Sequence, residues 1–299
     1  MYVVATAGHV DHGKSTLVRA LTEMDPDRWE EEKRRGLTID LGFVWTTLPS
    51  GADVAFVDVP GHEKFLGNML AGVGPAPVVL FVVAADEGWQ AQSTDHRDAL
   101  RALGVEHGII ALTRSDRATV ERTAEIRAQL ADTPLADAPI IPVAAPTGDG
   151  LEQLRQALDD LLAGLPAPDT QAPVRMWVDR VFSVKGVGIV VTGTLAAGSL
   201  RVGDSLLAAT ADGEKEVEIR GLHSENRAHD SLGPVTRAAV NLRGVDAAEL
   251  HRGDVLLTPG AWRLVEHLDV HRTFGAELDG LPDNLVAVSY THLRAHETR

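Results

Sequence analysis

The chain has 299 residues, more than one ordinary compact domain needs, so its length predicts two or three domains. Apolar residues make up 44% and charged residues 24%, which is typical of a globular protein and excludes a fibrous or disordered chain. The formal net charge of −15 excludes binding of nucleic acid or anionic membrane by overall charge, although it leaves room for a local basic patch.

The sequence contains no cysteine, which excludes disulfides, thiolate metal sites and cysteine nucleophiles. No apolar run reaches the roughly 18 residues that a membrane span needs. The N-terminal segment lacks the basic region of a signal peptide. We therefore expect a cytoplasmic protein with no membrane partner.

Residues 1–165 alternate β-rich runs with helical patterns, which predicts a doubly wound α/β domain with a mostly parallel sheet. The continuous apolar run at 78–84 is typical of a central parallel strand. The predicted strands are Tyr2–Ala7, Asp53–Val59, Val78–Ala84, Gly108–Thr113 and Ala138–Val143, and the predicted helices are Lys14–Thr22, Ser93–Leu103, Thr119–Leu130 and Leu151–Leu162.

The Pro-rich segment 166–173 predicts a stiff linker. After it, closely spaced β-rich runs predict an antiparallel β-barrel over 174–259. Residues 260–287 are predicted to begin a second β-barrel, and the tail 288–299, which resembles translated adapter read-through, to be non-native or disordered. The predicted barrel strands are Met176–Val184, Gly188–Thr194, Ser205–Ala209, Lys215–Leu222, Val235–Leu242 and Asp254–Thr258.

The segment Gly8–Ser15 fits the pattern G-x-x-x-x-G-K-S/T between a predicted strand and a predicted helix, the context that a phosphate-binding loop requires. Glycines let backbone N–H groups turn toward a phosphate, and the helix N-terminus adds partial positive charge. Lys14 is placed to reach the β- and γ-phosphates, and the Ser15 hydroxyl to bind Mg²⁺. The predicted phosphate-binding residues are Asp11, His12, Gly13, Lys14, Ser15, Thr16 and Gly61.

The segment Asp58–Gly61 ends the strand after this loop and supplies a second part of such a site. Asp58 is predicted to hold the Mg²⁺ shell, and the Gly61 N–H to sense the γ-phosphate. His62 follows where Ras-like enzymes carry the glutamine that orients the attacking water, so it is the predicted catalytic residue. The alternative is an exposed loop histidine.

Thr38 lies in the loop 34–40 between these two motifs. Its hydroxyl and carbonyl are predicted to close over Mg²⁺ and the γ-phosphate as a switch. Taken alone it would be an ordinary loop residue. With the other motifs present, the predicted Mg²⁺ ligands are Ser15, Thr38 and Asp58.

The segment Thr113–Asp116 follows a strand where P-loop GTPases carry N-K-x-D. Asp116 can accept two hydrogen bonds from guanine N1–H and N2–H₂, groups that adenine lacks. Thr113 replaces Asn and makes fewer hydrogen bonds to the P-loop, whereas the stem of Arg114, in place of Lys, can still cover the base. We therefore predict GTP and GDP as ligands.

A second guanine contact is predicted at 143–145, where such proteins place S-A-x. Ala144 stands where serine is usual, so the Ala145 N–H is left to meet guanine O6.

The stretches at 8–17 and 58–65, G-H-V-D-H-G-K-S-T-L and D-V-P-G-H-E-K-F, resemble translational GTPases. Residues 37–43 and 68–72, together with Thr113, resemble the selenocysteine-specific elongation factor branch more than elongation factor Tu. The resemblance covers about residues 1–285. In the barrel it is carried by Asp179–Phe182, Lys185–Gly188, Val190–Thr194, Arg220–His223, Asn241–Leu242 and Arg252–Leu257.

This resemblance implies a GTPase domain, two barrels and a C-terminal winged-helix arm that binds a messenger RNA hairpin. The chain stops just inside the second barrel, so we expect a fragment or a truncated gene product without that arm. The resemblance implies GTP, GDP and Mg²⁺ as cofactors, and delivery of selenocysteinyl-tRNA to the ribosome at recoded UGA codons. We expect a monomer.

The family's aminoacyl pocket lies on the first barrel and faces the GTPase domain. By resemblance the candidates here are Asp179, Arg180 and Arg237. Fixed positive charge suits an anionic selenolate, because arginine stays protonated. The alternative is ordinary surface charge at strand ends.

Two other functions remain open from the sequence. The chain could be another translational GTPase, similar to elongation factor Tu or to an initiation-factor γ subunit. It could also be a GTP-binding module that does not retain tRNA.

Overall fold

The computed structural model describes residues 2–26, 38, 40–74, 76–118 and 120–262. Two large apolar cores flank the segment 166–173, one built from residues up to 162 and one from residues 174–256. The predicted start of a second barrel, from residue 263 onward, and the predicted tail 288–299 lie outside the described residues. Among the described helices, none has both the length and the apolar character to cross a membrane.

The first part of the chain forms a six-stranded sheet in the order β2-β3-β1-β4-β5-β6. β2 is antiparallel to β3, and the other neighbours are parallel. Every residue of β4 is buried, because both faces of the sheet are covered. The strands are β1 (Tyr2–Ala7), β2 (Gly42–Thr47), β3 (Asp53–Asp58), β4 (Val78–Ala84), β5 (His107–Thr113) and β6 (Ile140–Pro142).

Helices cover both faces of this sheet. The α-helices within the described residues are α1 (Lys14–Thr22), α2 (Leu66–Val73), α3 (Ala91–Leu103), α4 (Thr123–Leu130) and α5 (Leu151–Ala163). Buried side chains of α2, α3 and α4 pack on one face, and those of α1 and α5 on the other. The predicted doubly wound domain is thereby confirmed.

The second part of the chain forms an antiparallel sheet in the order β7-β16-β11-β12-β15-β9-β8, with β13 paired to β12. β7 and β8 lie at opposite ends of this order, yet two residues join them, so the sheet must curl until its ends meet. The Asp179 N–H donates to the Thr192 carbonyl (2.9 Å) at this junction. The strands are β7 (Arg175–Trp177), β8 (Arg180–Val184), β9 (Gly188–Leu195), β10 (Leu200–Arg201), β11 (Ser205–Thr210), β12 (Gly213–Ser224), β13 (Arg227–His229), β14 (Ser231–Leu232), β15 (Thr236–Arg243) and β16 (Val255–Leu257).

The two parts touch through an apolar contact. Val235, just before β15, is buried in the core that α2, α3 and α4 share with the first sheet. Its φ of 55° is strained for a β-branched residue, so packing must hold it there.

Some sequence predictions of elements were wrong in detail. β2 and α2 were not predicted. The predicted strand Met176–Val184 is broken at Asp179, whose carboxylate accepts from Thr192 Oγ1 (2.7 Å) instead of facing a ladder partner. The helix predicted from Thr119 begins at Thr123, where Glu121 accepts from the Thr123 N–H (2.7 Å).

Candidate functional site

The phosphate-binding motif forms the turn between β1 and α1. Gly8 has φ 126° and Gly13 φ 88°, which other residues rarely adopt. A Cβ at Gly8 would overlap the Val82 carbonyl, so this loop can cross β4 only with glycine at that position. The loop lies at the carboxyl end of parallel strands, where open α/β sheets bind ligands.

Lys14 opens α1 and is 5% exposed. Its Nζ donates to the carbonyls of Gly8 (3.0 Å) and His9 (2.7 Å), so the ammonium lies across the loop. Burial lowers the Lys14 pKa to about 8, while the negative charges of Asp58 and Asp11 act in the opposite direction.

The predicted metal ligands are oxygen donors on separate elements. The hydroxyls of Ser15 and Thr38 are 2.9 Å apart. Asp58, fully buried at the end of β3, accepts a hydrogen bond from Thr6 Oγ1 (2.8 Å), which itself accepts from the Val59 N–H (3.0 Å). Hydroxyl and carboxylate oxygens are the donors that Mg²⁺ prefers, so these residues fit that ion.

Gly61 lies directly against the P-loop. A Cβ at Gly61 would lie 2.5 Å from Lys14 Nζ and 2.6 Å from the Val10 nitrogen, so a side chain would separate the two loops. The next residue, His62, is half-buried and accepts from the Lys64 N–H (3.2 Å) through Nδ1. That bond leaves the proton on Nε2.

The Thr113–Asp116 segment contacts the P-loop directly. Thr113 Oγ1 donates to the His12 carbonyl (2.6 Å). Threonine therefore makes one hydrogen bond to the P-loop at the position where asparagine is usual. Arg114, with φ 53°, donates to the Asp11 carbonyl and pairs with Glu87 and Asp86. Its stem therefore crosses the edge of the P-loop.

Asp116 lies in a one-turn 3₁₀ helix, Ser115–Arg117, which directly follows Arg114. The Ser115 N–H donates to the Val143 carbonyl (3.2 Å), which ties the turn to the segment of Ala144 and Ala145. Ala144 is buried, and its own N–H donates to the Asp149 carbonyl (2.9 Å). The two predicted guanine-binding segments thus lie side by side.

Two functional neighbours of the P-loop were missed by the sequence reasoning. His96 Nδ1 accepts from the Gly8 N–H (3.0 Å), and Gln92 Oε1 accepts from the Val10 N–H (3.0 Å). Burial, followed by the charges of Lys14 and His9, lowers the His96 pKa to about 3. The predicted helix Ser93–Leu103 included His96 but not Gln92, because the helix begins two residues earlier, at Ala91.

The three aminoacyl-pocket candidates form a cluster at the contact between the two parts of the chain. Arg237 pairs with Asp179 through two hydrogen bonds, one of them 2.7 Å. Arg180 donates to Asp40 (3.1 Å) and to the Leu41 carbonyl (2.5 Å). We call Arg180 and Arg237, with the partners named here and in the next paragraph, the arginine cluster.

Phe43 of β2 lies between the two guanidinium groups of this cluster. Its ring centroid is 3.7 Å from Arg237 Cζ and 5.3 Å from Arg180 Cζ, which is cation–π geometry. Arg252 also pairs with Asp40 (3.3 Å). The charges at the pocket are therefore matched by carboxylates and an aromatic face, and they are not bare surface charge.

A phosphate-binding loop at the carboxyl edge of a doubly wound sheet, joined to a Thr-Arg-Ser-Asp turn, defines a P-loop nucleotide-binding protein. Residues 1–164 match the family model of the elongation factor Tu GTP-binding domain, and the chain belongs to that family of translational GTPases.

Two curated relatives and one solved structure show which translational GTPases this chain is similar to. The chain is 41% identical to a selenocysteine-specific elongation factor of Desulfomicrobium baculatum over 262 residues, covering 86% of this chain and 41% of that protein. It is 42% identical to the factor of that name from Escherichia coli K12 over 260 residues, covering 85% and 42%. A crystal structure of a bacterial selenocysteine-specific elongation factor superposes with a TM-score of 0.80 at 35% identity, covering 86% of this chain and 45% of that one.

These comparisons confirm the predicted resemblance and the predicted fold class: the GTPase domain is followed by an antiparallel sheet, which curls where an antiparallel β-barrel was predicted. The chain spans about two fifths of the length of the curated relatives named here.

Proposed function

We propose that this chain binds GTP and GDP with Mg²⁺, hydrolyses GTP and acts in the cytoplasm as the GTPase portion of a factor that delivers selenocysteinyl-tRNA to the ribosome. The observation that carries the proposal is the junction of the P-loop with the Thr113–Asp116 turn and with Thr38. Phosphate, metal and base functions are joined there in one site. The proposed domains are 1–165 for GTP binding and 174–259 for the curled sheet, with 166–173 as linker.

The phosphates are proposed to lie against the backbone N–H groups of 11–16, with Lys14 at the β- and γ-phosphates. Ser15, Thr38 and Asp58 are the proposed Mg²⁺ ligands. When bound, the ion would neutralise charge that develops on the phosphates. The contact between the Ser15 and Thr38 hydroxyls supports this role, because it brings a switch residue to the start of α1.

Guanine is proposed to bind to the Asp116 carboxylate through its N1–H and N2–H₂ groups, and to the Ala145 N–H through O6. Thr113 and Arg114 serve as supports, because both hold backbone carbonyls of the P-loop. Ala144 is proposed to lie beside the base in the same guanine-binding site.

His62 is the proposed catalytic residue, which orients the attacking water. Nδ1 accepts a backbone hydrogen bond, so Nε2 carries the proton and is a donor in this state. The imidazole must rotate or move before it can accept a proton from water. We therefore propose slow hydrolysis by the isolated chain and stimulation by the ribosome.

Asp179, Arg180 and Arg237 are proposed to line the aminoacyl pocket. Arg180 and Arg237, both in contact with the Phe43 ring, place fixed positive charge beside a cavity of about 340 Å³ whose lining includes all three residues. An anionic side chain such as a selenolate fits that charge better than a neutral serine does.

Nucleotide binding is tested with Ser15→Ala. We expect Mg²⁺-dependent GTP binding to weaken by about tenfold or more, the effect of losing one ligand oxygen, while metal-free GDP binding changes less. Ser183→Ala, exposed on β8, is the control and should match the wild type. Equal losses for both nucleotides would mean that Ser15 supports the loop and not the ion.

Delivery is tested by filter binding of the chain with GTP to selenocysteinyl-tRNA and to seryl-tRNA. Preference for the selenocysteinyl form supports the proposal. Equal binding of both favours a factor similar to elongation factor Tu or an initiation-factor γ subunit. Nucleotide binding without retention of either tRNA favours a GTP-binding module.

A further inference from the structure

Helix α3 reaches the P-loop with two side chains one turn apart. Gln92 and His96 are at i and i+4, so they share one face of the helix. Their acceptor atoms meet the N–H groups of Val10 and Gly8, both at 3.0 Å. These two amides therefore point outward from the P-loop to α3.

The carbonyls of the same stretch point to Lys14. The His9 carbonyl belongs to the same peptide group as the Val10 N–H, and it accepts from Lys14 Nζ (2.7 Å). The Gly8 carbonyl accepts from the same ammonium (3.0 Å), while the Gly8 N–H is held by His96. The His9–Val10 peptide plane is thus fixed from both sides, by Gln92 and by Lys14. At Gly8 the two bonds hold successive peptide groups, which are joined through the Gly8 Cα.

We propose that Gln92 and His96 are positioning residues that act through these peptide groups on the Lys14 ammonium, and so set the affinity for the β-phosphate of a nucleotide. The inference rests on the proposed nucleotide binding and adds residues outside every motif that the sequence singled out. Without an acceptor on α3, a buried N–H loses its partner and the peptide plane is free to turn. The His9 carbonyl turns with the Val10 N–H, because both belong to one peptide group, whereas release of the Gly8 N–H reaches the Gly8 carbonyl through the φ and ψ angles of Gly8.

The chemistry of His96 suits an acceptor. It is 2% exposed and carries no charge at neutral pH, because burial and the charge of Lys14 keep its pKa far below 7. A protonated imidazole would present a second donor to the Gly8 N–H. Asparagine is the matched replacement, since its Oδ1 occupies nearly the place of Nδ1 and also accepts.

The experiment compares variants that remove the acceptor with variants that keep it. His96→Leu and Gln92→Leu remove it, whereas His96→Asn replaces Nδ1 with an oxygen acceptor and Gln92→Glu retains the oxygen acceptor. Gln92 is half-buried on the helix surface and leucine favours helices, so Gln92→Leu tests the proposal even where His96→Leu does not fold. Competition against a fluorescent GDP analogue gives the Kd of GDP and of GMP for each chain.

We expect each leucine variant to weaken GDP binding by about tenfold, from one lost buried hydrogen bond, and GMP binding by less than about twofold. His96→Asn and Gln92→Glu should keep the wild-type ratio of the two Kd values, because the acceptor remains. GDP affinities unchanged in the folded leucine variants would overturn the inference. So would a parallel loss of GDP and GMP, since that indicates general loosening of the site. A wild-type chain that binds neither nucleotide would instead refute the proposed function.

Discussion

At the nucleotide end of the GTPase domain, the groups that define the site are mostly backbone N–H and C=O groups of one loop, fixed by neighbouring side chains. At the arginine cluster, by contrast, the groups are side chains that meet across 58 residues for Arg237–Asp179 and 140 residues for Arg180–Asp40. Each motif of the first site is a short continuous segment, although the motifs themselves meet across as many as 101 residues, as Thr113 and His12 do. In the second site the Arg180–Asp40 pair forms only when the two parts of the chain dock. Motifs therefore define the first far better than the second.

Burial separates the two regions as well. Lys14, Asp58 and Thr113 are nearly inaccessible, whereas Asp40 and Arg180 keep 22% and 25% of their side chains exposed. Interactions in water-excluded places are strong and weakly screened, whereas half-exposed ion pairs are weak and sensitive to salt. Substitutions should therefore have larger effects at the nucleotide end.

The largest effect is expected for His62→Ala. Orienting a water by a positioned group is worth about 10²–10⁴-fold, so ribosome-stimulated GTP hydrolysis should fall by that factor in the full-length protein. GTP binding should stay within about twofold, because the described hydrogen bond of His62 is to Lys64 and not to the P-loop. Single-turnover hydrolysis with and without ribosomes measures both. A stimulated rate that survives would assign the water to another group.

Asp116→Asn should follow in size. Two charge-assisted hydrogen bonds to guanine, each worth roughly 1.5–3 kcal/mol, are replaced by one compatible contact, so GTP binding should weaken more than tenfold. The preference should shift to xanthosine nucleotides, whose base offers an acceptor to the new amide. Asp98→Asn, exposed on α3, is the matched control. Unchanged GTP affinity would remove Asp116 from the guanine site.

The motifs of the nucleotide site are short continuous segments, which is why so much of the site could be predicted from the sequence. Gly8–Ser15 forms its loop because glycine is required at particular φ angles, and Lys14 begins α1 as the pattern predicts. The parallel strands followed from apolar runs, and helices on both faces followed from their alternation. Each of these signals depends on residues close together in the chain.

What the sequence did not predict depends on partners far apart. Nothing local to Gln92 or His96 indicates that Gly8 and Val10 lie above them, since those contacts span 82 and 88 residues. β2 was not predicted; it is the edge strand of the first sheet, and among the described strands it pairs with β3. The family resemblance predicted Arg180 and Arg237 as pocket residues. It did not predict that Phe43, in the first part of the chain, contacts both of them.

The buried histidines at the nucleotide end should make the fold sensitive to acid. The His96 pKa is about 3 in the folded chain and near 6.5 when unfolded, so the unfolded chain binds more protons below pH 6.5. The contribution of neutral His96 to the free energy of unfolding is fully present above about pH 6.5 and is lost as the pH falls toward 3. From pH 7 to pH 5 it should decrease by about 2 kcal/mol. His96→Asn, which does not titrate, should show that much less acid dependence in urea unfolding at the two pH values. An equal dependence would mean that His96 is accessible to protons in the folded chain.

The smallest effect is expected at the arginine cluster, for Asp40→Asn. The variant loses the charge that pairs with Arg180 (3.1 Å) and Arg252 (3.3 Å), but the amide oxygen still accepts a hydrogen bond. For two partly exposed pairs we expect a loss of about 1 kcal/mol or less in the free energy of unfolding at low salt. At about 0.5 M salt that difference should shrink, because the Debye length falls to about 4 Å and partly exposed pairs are screened more strongly.

The matched control for that substitution is Glu249→Gln, which breaks the pair with Lys215 inside the curled sheet and leaves the contact between the two parts intact. Both variants should lose little stability, and GDP affinity should stay within about twofold of wild type, since neither changes the P-loop. Only Asp40→Asn leaves Arg180 with one carboxylate fewer, so only that variant should bind an anionic aminoacyl group more tightly. A loss above about 2 kcal/mol that persists at high salt would show that Asp40 acts as a buried structural group. The arginine cluster would then resemble the nucleotide end in strength, and the contrast between the two regions would be one of sequence distance alone.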